Sequence, residues 1–263
     1  MHFSIFNRKP IIIGGFYRSG TSLVRRLLDS HSKIYCGPEV KFWRDLYGDY
    51  KDDPYAHIRF FSTAKHMGLP SERITEIFGE TYIKLINETM HAKGKIRWAD
   101  KNPENLIYLN EWNQLLNGRM DFLFVVRHPL DALASLKEVR FDKTMPSSFD
   151  GKIQECARYL IEGLNFLEKH PQKTTVLRYE SLVTDPEKTL KEAMKSLNLN
   201  YEKTMLSEYW KPERGTGIED PKVTATTVVH KESLMRWKTD LTTQEISIAT
   251  KTLQPLLTKL GYQ

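Results

Sequence analysis

Apolar runs alternate with segments of helical periodicity along this chain. The apolar runs predict β-strands near residues 10–15, 95–99, 121–127 and 173–178. Apolar residues at helical spacing predict helices near residues 21–31, 71–92, 103–117, 129–140 and 150–169. From about residue 186 the pattern is helical, with a break at residues 211–217 that predicts a loop. Because strands and helices alternate, the sequence predicts an α/β fold in which helices cover both faces of a central parallel sheet, followed by a helical C-terminal third.

Length and composition favour one domain that spans residues 1–263. No internal repeat or low-complexity linker divides the 263 residues. No apolar run approaches the roughly 18 residues of a membrane span, and residues 1–9 lack the apolar core of a secretion signal. Two cysteines are too few for a disulfide scaffold. We therefore expect a protein without a membrane span in a reducing, cytoplasmic compartment.

The first predicted strand runs into a loop with the sequence Gly-Gly-Phe-Tyr-Arg-Ser-Gly-Thr-Ser at residues 14–22. Backbone N–H groups at such a strand–loop–helix junction point at one place and bind anions. ATP- and GTP-binding loops carry a lysine before the final hydroxyl, whereas Gly20 is followed directly by Thr21 and Ser22. Arg18 supplies the positive charge instead, because a guanidinium holds two oxygens of a phosphate or sulfate. This P-loop-like segment therefore predicts an anion site.

A second candidate anion contact follows the apolar run at residues 121–126. Arg127 ends this predicted strand, Pro129 suits the first turn of the next helix, and Ser135 lies within that helix. An arginine and a serine placed in this way flank the carboxyl edge of a parallel sheet, where such folds bind ligands. Taken alone, the pair is more typical of a structural salt bridge and a solvated serine.

Together these motifs resemble those of the sulfotransferases that use 3′-phosphoadenosine 5′-phosphosulfate (PAPS). Two further stretches agree with that family: Tyr179-Glu180-Ser181-Leu182 with Asp185-Pro186, and the basic–Trp–basic element Arg236-Trp237-Lys238. The similar blocks follow the family's order over residues 11–47, 96–140, 174–197 and 224–241. Several motifs in the right order are far more specific than any one of them.

The resemblance implies a set of residues that bind the sulfuryl donor. In the family the first loop holds the 5′-phosphosulfate end of PAPS, and the later arginine and serine hold the 3′-phosphate. The basic–Trp–basic element closes over the nucleotide. The donor-binding residues implied here are Arg18, Ser19, Gly20, Thr21, Ser22, Arg127, Ser135, Tyr179, Arg236, Trp237 and Lys238. We expect PAPS as the donor and adenosine 3′,5′-bisphosphate as the product.

Residues 18–41 resemble the tyrosylprotein and bacterial branch of the family. In that branch a glutamate at the position of Glu39 is the general base, and a lysine at the position of Lys101 contacts the transferring group. The cytosolic branch has a histidine base after this lysine, where the present chain has Asn102-Pro103, so the base role falls to Glu39. The tyrosylprotein enzymes carry an arginine at the position of Lys41, so an identical mode of peptide binding is not expected.

The same residues meet the requirements of sulfuryl transfer without reference to the family. The reaction needs a base for the acceptor proton and cations where charge accumulates on the leaving group. Glu39 can serve as the base, and Arg18 and Lys101 as the cations. From the residues alone, a solvated carboxylate and a surface lysine remain open. The eight histidines are scattered and neither cysteine belongs to a Cys-x-x-Cys pair, so no metal site is predicted.

The predicted acceptor is a hydroxyl-bearing molecule, and its class stays open between a peptide tyrosine, a glycan, a lipid and a small phenol. Residues 42–61 hold seven aromatic residues, which can line an acceptor pocket or belong to the core. The formal net charge of +6 suits a polyanionic nucleotide, whereas no basic–aromatic repeat indicates a nucleic-acid partner. The sequence does not indicate an oligomeric state.

Two other function classes remain open at this point. A P-loop kinase or NTPase shares the strand, loop and helix, but it carries a loop lysine and a metal-holding carboxylate at a strand end, where this chain has Arg127. A catalytically silent nucleotide-binding protein would keep Arg127 and Ser135 without needing Glu39 and Lys101. The presence of both Glu39 and Lys101 favours an enzyme.

Overall fold

The computed structural model describes residues 8–47, 63–64, 66–139, 144–211 and 227–262. Within these residues, five parallel strands form one sheet in the order β2-β3-β1-β4-β5. The strands are β1 (Ile11–Gly14), β2 (Ile34–Cys36), β3 (Arg97–Lys101), β4 (Asp121–Val126) and β5 (Thr174–Arg178). Most of the predicted loop at 211–217 and of the aromatic segment at 42–61 lies outside the described residues.

Helices cover both faces of the sheet and form most of the described C-terminal third. They are α1 (Thr21–Asp29), α2 (Phe42–Tyr47), α3 (Ser71–Ala92), α4 (Leu109–Leu115), α5 (Pro129–Leu136), α6 (Phe149–Lys169), α7 (Tyr179–Thr184), α8 (Pro186–Ser196), α9 (Thr204–Ser207), α10 (Trp237–Asp240) and α11 (Thr243–Lys259). Short 3₁₀ helices span Pro103–Leu106 and Pro171–Lys173. The predicted α/β fold with a central parallel sheet is confirmed.

The central strand β1 is apolar throughout because both of its faces are buried. Ile11 and Ile13 join an apolar cluster that includes Leu27 of α1, whereas Ile12 points to the opposite face and joins the cluster that includes Phe124. All three isoleucines are fully buried. Burial on both faces explains why the strand shows no alternation of polar and apolar residues.

Several elements differ from those predicted, among them the helices α2 and α7, which the sequence pattern did not indicate. Strand β2 was not predicted because its three residues are too short for a periodicity signal, yet Ile34 pairs with Arg97 of β3. The predicted helix at 103–117 divides into a 3₁₀ turn and α4. Buried Asn105 donates its side-chain amide to the Ile13 carbonyl, 3.0 Å away, which ties the first turn to β1. This contact across the fold carries no local sequence signal.

The strand order creates a place for ligands at one edge of the sheet. From β1 the chain passes to β2 and then β3 on one side of β1, and afterwards to β4 and β5 on the other side. The loops that leave the carboxyl ends of the strands therefore diverge around β1. In open parallel sheets this switch point is where ligands bind.

Candidate active site

Each strand delivers one residue singled out by the sequence to the carboxyl edge of the sheet. Arg18 follows β1, Glu39 follows β2, Lys101 ends β3, Arg127 follows β4 and Tyr179 follows β5. These residues are far apart in the chain, and the parallel sheet aligns them because all five strands point the same way. The edge therefore combines cations, a carboxylate and an aromatic ring.

The loop after β1 forms a concave backbone turn. The Ser19 N–H donates to the Phe16 carbonyl, and both Arg18 (φ 66°) and Gly20 (φ 90°) have left-handed backbone conformations. A Cβ atom at Gly20 would lie 2.5 Å from Cδ2 of Tyr179, so a side chain has no room there. Left-handed conformation is uncommon for a residue other than glycine, and at Arg18 it occurs where the sequence predicts a function.

The loop leads directly into α1, whose first N–H groups open towards the same turn. Gly20 is the N-cap residue, and no side chain caps the helix. The initial N–H groups of a helix have no partner within the helix, and they carry the positive end of its dipole. Thr21 and Ser22 add hydroxyl groups at this end. The donor set fits a phosphate or sulfate group.

Arg18, Arg127, Ser135 and Tyr179 form what we call the arginine cluster. The Nε atom of Arg18 donates to the Ser135 hydroxyl at 3.0 Å, and Nη1 of Arg127 donates to the Arg18 carbonyl at 2.7 Å. The Arg127 guanidinium lies 4.8 Å from the centre of the Tyr179 ring. Burial lowers the pKa of Arg127 from its ordinary value. The cluster thus brings the two candidate anion contacts next to each other.

Lys101 and Glu39 form an ion pair beside the loop. The Lys101 ammonium pairs with Oε2 of Glu39 and lies 3.5 Å from the Ser22 hydroxyl. The Lys101 side chain is 1% exposed, whereas the Glu39 side chain is 16% exposed. The buried lysine thus links the partly accessible carboxylate to the start of α1.

Sequence reasoning missed a second carboxylate close to this pair. Glu104 is buried, and its Oε1 atom accepts from the Tyr17 hydroxyl and from the Lys41 ammonium at 3.0 Å. The Arg44 Nε atom lies 3.3 Å from the same oxygen. Burial by itself raises the pKa of Glu104, and the positive charges of Lys41 and Arg44 overcome this, so the pKa lies below its ordinary value.

One sequence signal was available for part of this arrangement. Lys41 and Arg44 are three residues apart, a spacing that places side chains on one face of a helix such as α2. Arg44 is buried, and a buried cation requires a carboxylate. The identity of that carboxylate, Glu104, depends on a contact across 63 residues of sequence.

The C-terminal segment reaches the arginine cluster through its backbone. Nη2 of Arg127 donates to the Ser233 carbonyl. The buried Asp131 carboxylate accepts from the N–H groups of Met235 and Trp237, at 2.9 and 3.0 Å. These contacts hold the segment before α10 against α5 and Arg127. Neither Asp131 nor Ser233 was predicted from the sequence.

The basic–Trp–basic element itself has other partners. The Trp237 ring stacks on His128, with ring centres 5.6 Å apart and planes 11° from parallel. The Arg236 guanidinium pairs with the Glu138 and Asp240 carboxylates. The Lys238 ammonium lies 5.6 Å from the centre of the Trp237 ring. The structure thus places Trp237 next to the site and pairs Arg236 with carboxylates beside it.

Among the described residues, no group of three or more His, Cys, Asp or Glu side chains is arranged to hold a metal ion. In the same part of the chain, no helix has the length and apolar character needed to cross a membrane. Both cysteines, Cys36 and Cys156, are buried free thiols.

Comparison with known proteins identifies similar sequences and folds. The model of the Sulfotransferase family matches residues 10–203. The protein-tyrosine sulfotransferase of Drosophila melanogaster is 22% identical over 273 residues, which cover 98% of this chain and 52% of that protein. The present chain therefore spans about half the length of this relative.

Solved structures agree with the observed architecture. The sulfotransferase domain of the olefin synthase from Synechococcus PCC 7002 matches with a TM-score of 0.65 and 18% identity, over 93% of this chain and 95% of that domain. Mouse sulfotransferase SULT7A1 complexed with PAP matches with a TM-score of 0.52 and 11% identity, over 97% and 90% of the two chains. At these identities the likeness establishes the fold.

Proposed function

The chain belongs to the sulfotransferase family, since the family model matches residues 10–203, and from this premise we propose that it transfers a sulfuryl group from PAPS to the hydroxyl group of an acceptor. The observation that carries the proposal is the meeting of the arginine cluster and the Lys101–Glu39 pair at one edge of the sheet. An anion site next to a carboxylate is what transfer from an anionic donor to a hydroxyl requires.

The residues on one side of the edge fit PAPS, which supplies an activated sulfuryl group and two phosphate-bearing positions. The loop from Arg18 to Ser22 offers N–H groups, hydroxyls and a guanidinium for the 5′-phosphosulfate end. Arg127 and Ser135 lie where they would hold the 3′-phosphate, which remains on the product adenosine 3′,5′-bisphosphate. Arg127 donates hydrogen bonds to the carbonyls of Arg18 and Ser233, while the carboxylates of Asp131 and Glu180 act on it through their charge.

Tyr179 and the C-terminal element complete the proposed nucleotide site. The Tyr179 ring supports the Arg127 guanidinium and approaches Gly20, so it fixes the shape of the loop mouth. Trp237 has the flat apolar surface that an adenine ring needs, although its ring also stacks on His128, and the Lys238 ammonium lies near the ring. Arg236, the other basic residue of the element, pairs with Glu138 and Asp240. We propose that Tyr179 and the element Arg236-Trp237-Lys238 belong to the donor-binding residues.

Glu39 is the proposed general base. One of its carboxylate oxygens pairs with Lys101, and the side chain retains exposure towards solvent. When Glu39 takes the acceptor proton it loses its charge, so its attraction for the Lys101 ammonium falls. Lys101 is then released to donate to the oxygens on which negative charge develops, together with Arg18. Proton transfer at Glu39 and charge stabilisation by Lys101 are thereby coupled.

The proposal keeps the acceptor at the level of a hydroxyl-bearing molecule. Several relatives are named protein-tyrosine sulfotransferases, so a tyrosine peptide is the first acceptor to test. The buried free thiols accord with a reducing, cytoplasmic compartment. One domain over residues 1–263, and no nucleic-acid partner, remain parts of this proposal.

Calorimetric titration tests the donor assignment. We expect adenosine 3′,5′-bisphosphate to bind at least about tenfold more tightly than ADP, ATP or NAD, because a charge-assisted hydrogen bond to the 3′-phosphate contributes about 1.5–3 kcal/mol. Adenosine 5′-phosphosulfate is the matched control, since it lacks only the 3′-phosphate of PAPS. Equal affinity for ATP and adenosine 3′,5′-bisphosphate would contradict the proposed function.

A further inference from the structure

Glu104 lies in the interior and shares a neighbouring lysine, Lys41, with the proposed base Glu39. The reaction outlined above assigns Glu104 no role. Its carboxylate is 2% exposed. Oε1 accepts from the Tyr17 hydroxyl and the Lys41 ammonium, and the Arg44 Nε atom lies 3.3 Å away. Among the described residues, Oε2 has no hydrogen-bond partner. A buried carboxylate with all its donors on one oxygen is held in place by charge more than by a complete hydrogen-bond set.

Lys41 stands between Glu104 and Glu39. Its ammonium lies 3.0 Å from Oε1 of Glu104 and 4.0 Å from Oε1 of Glu39. The first distance is that of a hydrogen bond, whereas the second is too long for one. Lys101 occupies the other carboxylate oxygen of Glu39, Oε2. The position of Lys41 therefore decides whether Glu39 keeps one oxygen without a lysine on it.

Two carboxylates compete for the Lys41 ammonium, and burial favours Glu104. The Glu104 side chain is 2% exposed and the Glu39 side chain 16% exposed. Charge attraction is weaker where water screens it, so the more buried carboxylate attracts the lysine more strongly. The Lys41 ammonium also lies 5.9 Å from the centre of the Tyr17 ring, which adds a contact on the Glu104 side.

We propose that Glu104 is a positioning residue for sulfuryl transfer: it holds Lys41 away from Glu39, so that one oxygen of the base stays available to the acceptor hydroxyl. This inference rests on the proposed function, because it takes Glu39 as the base. Without the Glu104 charge, Lys41 turns to Glu39, the other carboxylate that it pairs with among the described residues. Both oxygens of Glu39 then carry an ammonium, and the acceptor hydroxyl loses its proton acceptor.

A double-mutant cycle with Glu104→Gln and Lys41→Met tests the proposal. We expect Glu104→Gln to lower kcat by about tenfold or more when Lys41 is present, and by less than about threefold in the Lys41→Met background. Affinity for adenosine 3′,5′-bisphosphate changes by less than about twofold in each variant, since the arginine cluster is intact. The same loss of kcat in both backgrounds would show that Glu104 acts only through the stability of the fold.

Asp121→Asn is the matched control for the loss of a buried ion pair. Asp121 pairs with the buried Arg97 at the opposite, amino end of the strands. The control is expected to lower the melting temperature while kcat per folded molecule is retained. If Glu104→Gln fails to fold, Glu104→Asp enters the same cycle, because the shorter carboxylate keeps the charge but reaches Lys41 less well.

A crystal structure of Glu104→Gln provides a readout that does not depend on turnover. We expect the Lys41 ammonium to move from 4.0 Å to hydrogen-bond distance of Oε1 of Glu39, which is about 3 Å. A Lys41 side chain that keeps its wild-type position would overturn the inference even if kcat falls. Failure of the wild-type chain to transfer sulfate to any hydroxyl acceptor would instead refute the proposed function, whatever the position of Lys41.

Discussion

The two flanks of the sheet edge differ in the partners of their cationic side chains. On the β4 and β5 side, Arg127 donates to two backbone carbonyls and Arg18 donates to the Ser135 hydroxyl. On the β2 and β3 side, Lys101 pairs with Glu39, and Lys41 and Arg44 pair with Glu104. Neutral oxygens satisfy the geometry of a guanidinium without cancelling its charge, whereas carboxylates cancel the charge of a lysine.

In the proposed function this difference separates two tasks at one edge of the sheet. On the first flank, arginines and backbone N–H groups gather positive charge beside the loop, as binding of an anionic donor requires. On the second flank, ion pairs with Lys41 and the buried Lys101 hold two carboxylates near each other, as the proposed base Glu39 requires. Strand β1 lies between the flanks, and its loop from Arg18 to Ser22 contacts both. The comparison predicts that substitutions on one flank change binding and substitutions on the other change turnover.

Glu39→Gln is expected to have the largest effect and tests whether the β2 and β3 flank controls turnover but not nucleotide binding. We expect turnover to fall by about 10²–10⁴-fold, because the variant removes the proton acceptor, while affinity for adenosine 3′,5′-bisphosphate stays within about twofold of wild type. Steady-state kinetics and calorimetry measure the two quantities. Glu245→Gln is a matched control. Like Glu39, Glu245 pairs with a lysine and is partly exposed, at 20%, but its partner is Lys137 and not Lys101. Normal turnover in Glu39→Gln would place the base elsewhere.

Arg127→Ala tests the opposite flank. We expect affinity for adenosine 3′,5′-bisphosphate to fall by about 10–150-fold, because about 1.5–3 kcal/mol of charge-assisted hydrogen bonding is lost. Calorimetry with the variant measures this loss, and ADP serves as the control ligand because it has no 3′-phosphate. Affinity for ADP is expected to change much less. An equal loss for both nucleotides would mean that Arg127 shapes the loop through the Arg18 carbonyl and does not contact a 3′-phosphate.

A smaller effect is expected in the pH dependence of the free energy of unfolding, through Glu104 on the β2 and β3 side. The pKa of Glu104 lies below the ordinary value of 4.5, so its contribution to stability is complete well above that pH and is lost as the pH falls through the pKa of the folded state. Denaturant unfolding of wild type and Glu104→Gln should show a difference in free energy that narrows by about 1 kcal/mol or more between pH 7 and pH 3.

The comparison with Glu104→Gln isolates this carboxyl group. Burial raises the pKa of Asp100, so that group favours the folded state at low pH and opposes the effect of Glu104. Asp100 is present in both proteins and its contribution cancels in the difference. A difference in stability that is constant with pH would contradict the assigned ion pairs of Glu104.

Local sequence was sufficient for the fold class and for most residues of the edge. The sequence pattern predicted β1, β3, β4 and β5. The signal is clearest in β1 and β4, because strands buried on both faces are apolar almost throughout. Glycine and hydroxyl residues predicted the loop at 14–22, because backbone geometry and helix capping act over a few neighbouring residues. Parallel strands then place their carboxyl ends together, so Arg18, Lys101 and Arg127 had to meet at one edge.

Only the tertiary structure decided which charges are paired. Glu104 meets Tyr17 and Lys41 across 87 and 63 residues of sequence, and Arg18 meets Ser135 across 117. No spacing rule covers such contacts, because they follow from the packing of whole elements and not from the repeat of one helix or strand. The sequence by itself thus determined a parallel sheet with a candidate anion-binding loop and a carboxylate and lysine at its edge. Packing decided that Lys41 pairs with Glu104, because a carboxylate in the interior must find a cation wherever the fold brings one within reach.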